Sequence, residues 1–347
     1  MCIARFCAAL GAVALMSVAF PMSAFEVEER HHFPAIAGDE VLRIISTADE
    51  DAFEPIIRAY QAQNPAVAVD YTIASSTEVM RAIYDEGAAF DLVISSAMDL
   101  QTKLANDGFA LAYTSAQTAT LPDWAIWRDQ VFAFTQEPAV LVVSEAFFAE
   151  IGVPKNRRDL INLLRRESAW FQGRVGTYDV RTSGLGYLFA TQDSRNIESY
   201  WRLTELMGGL NSPLYCCSSD MIRDVASGKL AFAYNVLGSY AASRLPETKG
   251  FHIVELEDFT SVMLRTVLVP VGVENQPAAH RMIDFLVTMK DRPDLVAASG
   301  LPPVDEAALD ANTAMRPIRL GPGLLVFLDR LKRDRFLENW ENSIVQD

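Results

Sequence analysis

Short apolar stretches alternate with longer amphipathic segments along the first third of the chain. The apolar stretches are VLRIIS (41–46), AVAVDYTIA (66–74) and FDLVIS (90–95), and a segment with helical spacing follows each of them. Short β-branched runs of this kind predict strands that are buried on both faces. Strands that alternate with helices predict right-handed βαβ units, and therefore a mainly parallel sheet flanked by helices.

The pattern changes after about residue 123. Two strand-like segments, FAF and AVLVV, are separated by polar TQEP, and further strands are predicted at RVGTYD, KLAFAYN and SVMLRTVLVPVGV. The last of these is expected to return to the first half, with helices at 277–290 and 323–340 closing the chain. This order predicts an α/β clamshell whose second lobe is inserted in the first.

The boundaries that follow from this reading divide the chain into four parts. Lobe 1 is predicted to comprise 40–130 plus 264–347, and lobe 2 to comprise the inserted 131–263. Residues 25–39 are polar and without periodicity, which predicts an extended lead-in that packs against nothing. Residues 1–24 combine Arg5, an apolar run and small residues at their end, which is typical of a secretory signal peptide. A membrane anchor is the alternative for this segment.

Composition and charge narrow the class of partner. The formal net charge is −15, so nucleic acid and anionic membrane surfaces are unsuitable partners, since phosphate binding needs a basic surface. Beyond the predicted signal peptide the cysteines are Cys216 and Cys217 alone. Two packed thiols, a vicinal disulfide and a metal role all remain open for this pair.

Serines recur where the predicted strands end. The pattern S-x-x-[DE] occurs directly after three strands, from Ser46 to Asp49, from Ser75 to Glu78 and from Ser96 to Asp99. A serine at the N-cap with an acid three residues later satisfies the free amides of a helix's first turn. Ligands bind outside the carboxyl ends of parallel strands, where helices begin. We therefore expect some of these serines to face a ligand, while capping alone is the alternative.

The second half offers two further candidate segments. Thr182, Ser183 and the glycines after them lie between a predicted strand and helix, and Arg181 beside them is able to clamp a carboxylate or phosphate. A solvated turn arginine is the alternative for Arg181. Asn235 ends another strand, and its amide both donates and accepts hydrogen bonds, although a turn role is equally open. Donors on both lobes predict a binder that closes around its ligand.

Five segments make the chain resemble a known family, the extracellular solute-binding proteins of ABC importers with the type II periplasmic fold. The segments are FDLVISSAMDLQTKLANDGFA, WRDQVFAFTQEPAVLVV, SGLGYLFATQDS, VASGKLAFAYNVLGSYA and GPGLLVFLDRLKR. The branch it resembles binds ferric iron or phosphorylated solutes and includes regulatory members that signal to a membrane sensor kinase. The resemblance implies a ligand between the lobes, with first-lobe contacts from Ser46, Thr47, Ser76, Ser95 and Ser96. The second lobe is implied to add Thr182, Ser183 and Asn235.

The resemblance implies a monomeric periplasmic protein that delivers a small anionic solute to a membrane permease or reports it to a sensor kinase. Hydroxyls and helix-start amides suit an organic or phosphorylated anion, with Arg181 as its charge match. Ferric iron is the alternative, but the chain lacks the adjacent tyrosines of iron-binding relatives. We expect no cofactor and no catalytic residue, because Glu137, the one acid considered as a base, is accompanied by no nucleophile or metal-ligand set.

Overall fold

The computed structural model describes residues 25–346. The predicted signal peptide (1–24) lies outside these residues. Within the described part of the chain, none of the helices is long and apolar enough to cross a membrane.

Strands and helices alternate through most of the chain. The strands are β1 (Glu29–Phe33), β2 (Glu40–Ser46), β3 (Val67–Ile73), β4 (Leu92–Ser95), β5 (Ile126–Trp127), β6 (Val131–Ser144), β7 (Val175–Tyr178), β8 (Leu214–Tyr215), β9 (Phe232–Leu237), β10 (Phe251–Val254), β11 (Thr260–Leu268) and β12 (Met315–Pro317). The helices are α1 (Glu50–Gln63), α2 (Ser76–Tyr84), α3 (Met98–Asn106), α4 (Glu145–Phe148), α5 (Arg157–Arg166), α6 (Ser168–Phe171), α7 (Gly184–Asn196), α8 (Tyr200–Gly209), α9 (Ser218–Ala226), α10 (Gly238–Arg244), α11 (Gln276–Val287), α12 (Pro293–Ser299), α13 (Glu306–Ala311) and α14 (Arg330–Ile344).

The strands form a sheet in the order β1-β3-β2-β4-β11-β6-β9-β7-β8. In the first lobe β2 pairs in parallel with both β3 and β4, and in the second lobe β7 pairs in parallel with β8 and β9. The long strands β6 and β11 are antiparallel and join the two lobes: β6 pairs with β11 along its first part and with β9 and β10 beyond Pro138. The predicted two-lobed α/β fold is confirmed.

Each lobe has its own aromatic core. In the first lobe Phe53 stacks on Tyr71, with ring centroids 5.1 Å apart. In the second lobe Phe171 meets Phe232 at 5.9 Å, edge to face. The last helix, α14, packs against α8 and buries apolar side chains in the core of the second lobe. This packing differs from the prediction that all of 264–347 belongs to the first lobe. The other lobe boundaries stay a prediction.

The segment before β2 is not the unpacked lead-in that the sequence predicted. Residues Glu29–Phe33 form the edge strand β1, which runs antiparallel to β3. Only Phe33, at its end, is buried, at 3% exposure. An edge strand is held mainly by backbone hydrogen bonds to its neighbour. It needs few apolar side chains, because one of its faces is open to water. Polarity of 29–33 was therefore a poor guide to its structure.

Candidate functional site

The three serine patterns fold in two different ways. At α2 the prediction is right: Ser75 is the N-cap, and its Oγ accepts a hydrogen bond from the Glu78 amide at 3.3 Å. At α1 and α3 the helix begins later than the pattern indicates, after Asp49 and Ala97. Ser46 and Ser96 are therefore not helix caps, and the capping prediction is wrong for both.

Ser46 and Ser95 instead stabilise the turns that follow their strands. Each is buried, and each hydroxyl oxygen accepts a hydrogen bond from the amide two residues on, Ala48 N at 3.0 Å and Ala97 N at 3.1 Å. Short polar side chains commonly bond to nearby backbone groups in this way. Neither serine lines the cavity described next, so the structure does not bring these two residues together with the other predicted contacts.

A cavity of about 140 Å³ lies between the lobes, at the ends of the strands. Five of the predicted ligand contacts line it: Thr47, Ser76, Ser96, Thr182 and Ser183. Further lining residues come from both lobes and were not predicted: Glu28, Asp49, Ser75, Tyr178, Ser218, Ser219, Tyr240 and Arg265. The cavity is therefore rich in hydroxyl groups.

Arg181 and Asn235 do not line this cavity. The Arg181 guanidinium bonds to the Asp179 carboxylate at 2.7 and 2.8 Å and reaches Glu341 on α14 at 3.3 Å. The Asn235 side chain is buried and donates to Asp193 at 2.8 Å. Arg181 therefore links Asp179 to the last helix and lies outside the group of predicted residues that line the cavity.

Arg265 is the guanidinium that does line the cavity. It is fully buried in β11 and forms a bidentate ion pair with Glu137 on β6. Nε lies 2.9 Å from Oε1, and Nη2 lies 3.2 Å from Oε2. Its Nη1 donates to the Thr47 hydroxyl at 3.3 Å. Burial by itself lowers the pKa of Arg265, but the Glu137 carboxylate raises it above the ordinary value. The signal for this residue was present in the sequence, since SVMLRTVLV holds one arginine in an apolar strand.

Two carboxyl groups also face the cavity. Burial raises the pKa of Asp49, although the charge of Arg265 partly opposes this. Burial raises the pKa of Glu28 as well, and the neighbouring Asp49 adds to the effect. Carboxyl oxygens accept hydrogen bonds, so both groups add acceptors to the lining of the cavity.

The lobes touch each other around the cavity. Across the gap Ser219 Oγ donates to Asp49 Oδ2 at 3.3 Å, and the Tyr240 hydroxyl accepts from the Asp49 amide at 3.1 Å. Gly184 at the start of α7 lies so close to the first lobe that a Cβ there would be 2.5 Å from Ser76 Oγ. The arrangement corresponds to lobes closed on one another.

Four helices begin at or just after serines that line this cavity. Ser76 and Ser218 are the first residues of α2 and α9, Ser183 is the N-cap of α7, and Ser96 lies just before α3. Ala97 and Cys217, the N-cap residues of α3 and α9, form no side-chain cap bond within the described residues. Helix starts carry partial positive charge and free amides, so their convergence favours anionic oxygens.

Cys216 and Cys217 form a vicinal disulfide, which settles the alternatives that the sequence left open. Both residues line the cavity. Within the described residues, no group of three or more His, Cys, Asp or Glu side chains is arranged to hold a metal ion. The cavity therefore offers hydroxyl groups, two carboxyl groups, helix-start amides and the guanidinium of Arg265.

The burial of Asp99, the acid of the third serine pattern, predicts that the stability of the fold depends on pH. It is buried at the start of α3, its Oδ1 finds no hydrogen-bond partner in the described part of the chain, and burial raises its pKa to about 7. Because the pKa is raised in the folded state, the neutral acid favours folding at low pH. That stability is lost as pH rises from about 4 to about 7, by an amount of order 3–4 kcal/mol.

Asp99→Asn is accordingly expected to flatten the pH dependence of the free energy of unfolding and to raise stability near neutral pH. Urea denaturation across this pH range measures both effects. Asp107→Asn, at the other end of α3, is the control, since Lys103 lowers the pKa of Asp107 against the effect of burial. Equal pH dependence in wild type and Asp99→Asn would contradict the assignment.

Comparisons with known proteins agree with this fold. The model of a family described as bacterial extracellular solute-binding protein matches residues 42–293. A crystal structure of the substrate-binding protein of an ABC transporter from Agrobacterium tumefaciens is 32% identical, covers 93% of this chain and 100% of its own, and gives a TM-score of 0.87. A comparison with curated proteins finds no match.

Two more distant structures share the fold. Iron-bound HitA from Pseudomonas aeruginosa is 16% identical, with a TM-score of 0.66 and coverage of 88% of this chain and 99% of its own. AfuA from Actinobacillus pleuropneumoniae, with fructose 6-phosphate bound, is 16% identical, with a TM-score of 0.68 and coverage of 89% and 99%. At this identity the likeness concerns the fold, and the solutes belong to those proteins.

Proposed function

The chain belongs to the bacterial extracellular solute-binding protein family, and from that premise we propose that it captures a small organic or phosphorylated anion between its lobes. The observation that carries this proposal is the convergence of four helix starts, from both lobes, on one cavity that also holds Arg265. Helix starts bind anionic oxygens through neutral amides, which avoids burying an unpaired charge.

The acidic groups of the cavity define the solute further. Glu28 and Asp49 offer no positive charge to a solute that is anionic over its whole surface. They suit a solute that presents hydroxyl groups at one end and its anionic group at the other. A hydroxylated carboxylate or phosphate ester therefore fits better than inorganic phosphate alone. Closure follows from contacts that such a solute makes to both lobes at once.

The partner in this proposal is the membrane permease of an ABC importer, which receives the solute in the periplasm from a monomer of this protein. The substrate-binding protein from A. tumefaciens supports the ABC importer as partner. A membrane sensor kinase is the alternative partner, and the same cavity would serve it. Ferric iron is less suitable as cargo, because it needs several anionic oxygen ligands and no such group of acids is present in residues 25–346.

Thermal denaturation in the presence of candidate solutes tests the proposal. Phosphoglycerates, fructose 6-phosphate, citrate, ferric citrate and inorganic phosphate are compared at equal concentration. A solute that binds only the native state stabilises it by about 2.7 kcal/mol at one hundred times its Kd. We expect the largest rise in Tm from a hydroxylated phosphate ester or carboxylate. A rise with ferric citrate but not with citrate would favour the iron alternative.

Removing one hydroxyl from each lobe should weaken capture. Ser96→Ala combined with Ser183→Ala is expected to lose roughly 1–3 kcal/mol of binding free energy for each buried hydrogen bond to the solute. Isothermal titration calorimetry with the best solute of the screen measures this loss. Ser194→Ala combined with Ser227→Ala, two serines that do not line the cavity, is the matched control. Unchanged affinity in the first pair would place the solute elsewhere.

A further inference from the structure

The vicinal disulfide lies in the wall of the cavity and is open to solvent. Cys216 and Cys217 connect β8 to α9, and both line the space between the lobes. Cys216 is exposed and Cys217 is half-buried. Cys216 is therefore open to attack by a small thiol in solution, which is what thiol–disulfide exchange requires.

The residues directly after the disulfide hold this wall together. Ser218 is buried, its hydroxyl pairs with that of Tyr178, and its Oγ accepts a hydrogen bond from the Leu237 amide at 3.3 Å. Ser219 makes the bond to Asp49 that crosses between the lobes. Cys217 itself is the N-cap of α9, and no side chain caps this helix. The backbone at the disulfide therefore sets where the first amides of α9 point.

We propose that the Cys216–Cys217 disulfide is a redox-sensitive wall of the solute cavity, whose reduction loosens residues 214–219 and weakens solute capture. In the oxidised form the two sulfurs close a small ring around the peptide bond between the cysteines, which restricts its backbone torsions. Reduction by a dithiol breaks the S–S bond: two electrons and two protons pass to the cysteines, which become two thiols, and the dithiol becomes a disulfide.

Because the two cysteines lie in the cavity wall, their reduction acts on the backbone that lines the cavity. Adjacent cysteines do not cross-link distant parts of the fold, so their reduction leaves the lobes intact and acts on the local backbone. That backbone carries the α9 amides and Ser219, which face the solute and the opposite lobe. An extracellular protein works where disulfides persist, so the oxidised form is its resting state and exposure to thiols is the signal.

Hydrogen exchange on the full chain tests the inference without any solute. Intact mass first establishes that the purified protein lacks two hydrogens relative to the dithiothreitol-treated protein. We expect amide exchange in 214–222 to become about tenfold faster after reduction, because a local constraint on opening is lost. Cys216→Ser combined with Cys217→Ser should exchange at the fast rate with or without dithiothreitol. Equal rates before and after confirmed reduction, or free thiols in the untreated protein, would overturn the proposal.

A second measurement addresses capture and rests on the proposed function. Fructose 6-phosphate is titrated into oxidised and reduced protein, and we expect the Kd to rise at least about tenfold on reduction, with no such response in the double serine variant. Equal Kd in the two forms would overturn the effect on capture. If the oxidised protein does not bind fructose 6-phosphate, the proposed class of solute fails for this compound, while the exchange rates still decide whether the wall is redox-sensitive.

Discussion

Arg265→Met is expected to lower the free energy of unfolding by about 3–5 kcal/mol, the usual cost of breaking a buried ion pair from one side. Arg265 and Glu137 are both fully buried, on the two strands that join the lobes. Without the guanidinium, the Glu137 carboxylate is left buried with hydroxyl partners alone, Thr135 at 2.7 Å and Ser239. Urea denaturation measures the loss.

The matched control is a surface ion pair whose arginine lies on the same sheet. Arg43 on β2 bonds to Glu274 at 2.5 Å with more than a third of its side chain exposed, so Arg43→Met should cost no more than about 1 kcal/mol. Arg265→Met combined with Glu137→Leu should recover much of the lost stability, because the uncompensated charge is gone. Equal losses from Arg265→Met and Arg43→Met would contradict the role assigned to the buried pair.

Gly184→Val is expected to weaken solute binding by about a hundredfold or more, which corresponds to about 2.7 kcal/mol. A Cβ at this position would meet Ser76 Oγ at 2.5 Å, Ser76 Cβ at 3.2 Å and Leu100 Cδ1 at 3.3 Å, all in the first lobe. The branched side chain therefore holds the lobes apart and removes contacts that the solute makes to one of them. Calorimetric titration with the best solute of the screen measures the change.

Gly323→Val is the control for this substitution, since a Cβ there meets nothing within 4 Å. It should leave the affinity unchanged. Because Gly184 lies in the first turn of α7, the free energy of unfolding of Gly184→Val is expected to change by less than its binding free energy. Full affinity in Gly184→Val would show that the lobes do not need to meet for capture.

The alternation of apolar and amphipathic segments was enough to predict the fold, because period and length distinguish strands from helices. The lobe against which the final helix packs could not be predicted in this way. Nothing in RLKRDRFLENW indicates which lobe it covers, and the structure packs Phe336 and Trp340 into the core of the second. Such packing depends on contacts between distant segments, which a single sequence does not encode as a local pattern.

The sequence predicted some of the residues that line the cavity and missed others. Hydroxyls after parallel strands identified Thr47, Ser76 and Ser96, since all strand ends of this kind meet at one edge. Arg181 was predicted as the charge match because it adjoins Ser183, but its guanidinium bonds to Asp179 and does not line the cavity. The guanidinium that lines the cavity is that of Arg265, in the middle of a strand, where an ion-pair partner 128 residues away makes its burial possible.

The electron density of crystals grown with the most stabilising solute is the most direct test of capture between the lobes. We predict one solute molecule in the cavity, in contact with Ser76 or Ser96 on one side and Ser183 or Ser218 on the other. Its anionic group should face the helix starts, and its hydroxyls should face Asp49. Density that touches a single lobe would contradict the account. So would density in the neighbouring groove of about 250 Å³ beside Arg244 and Ser299.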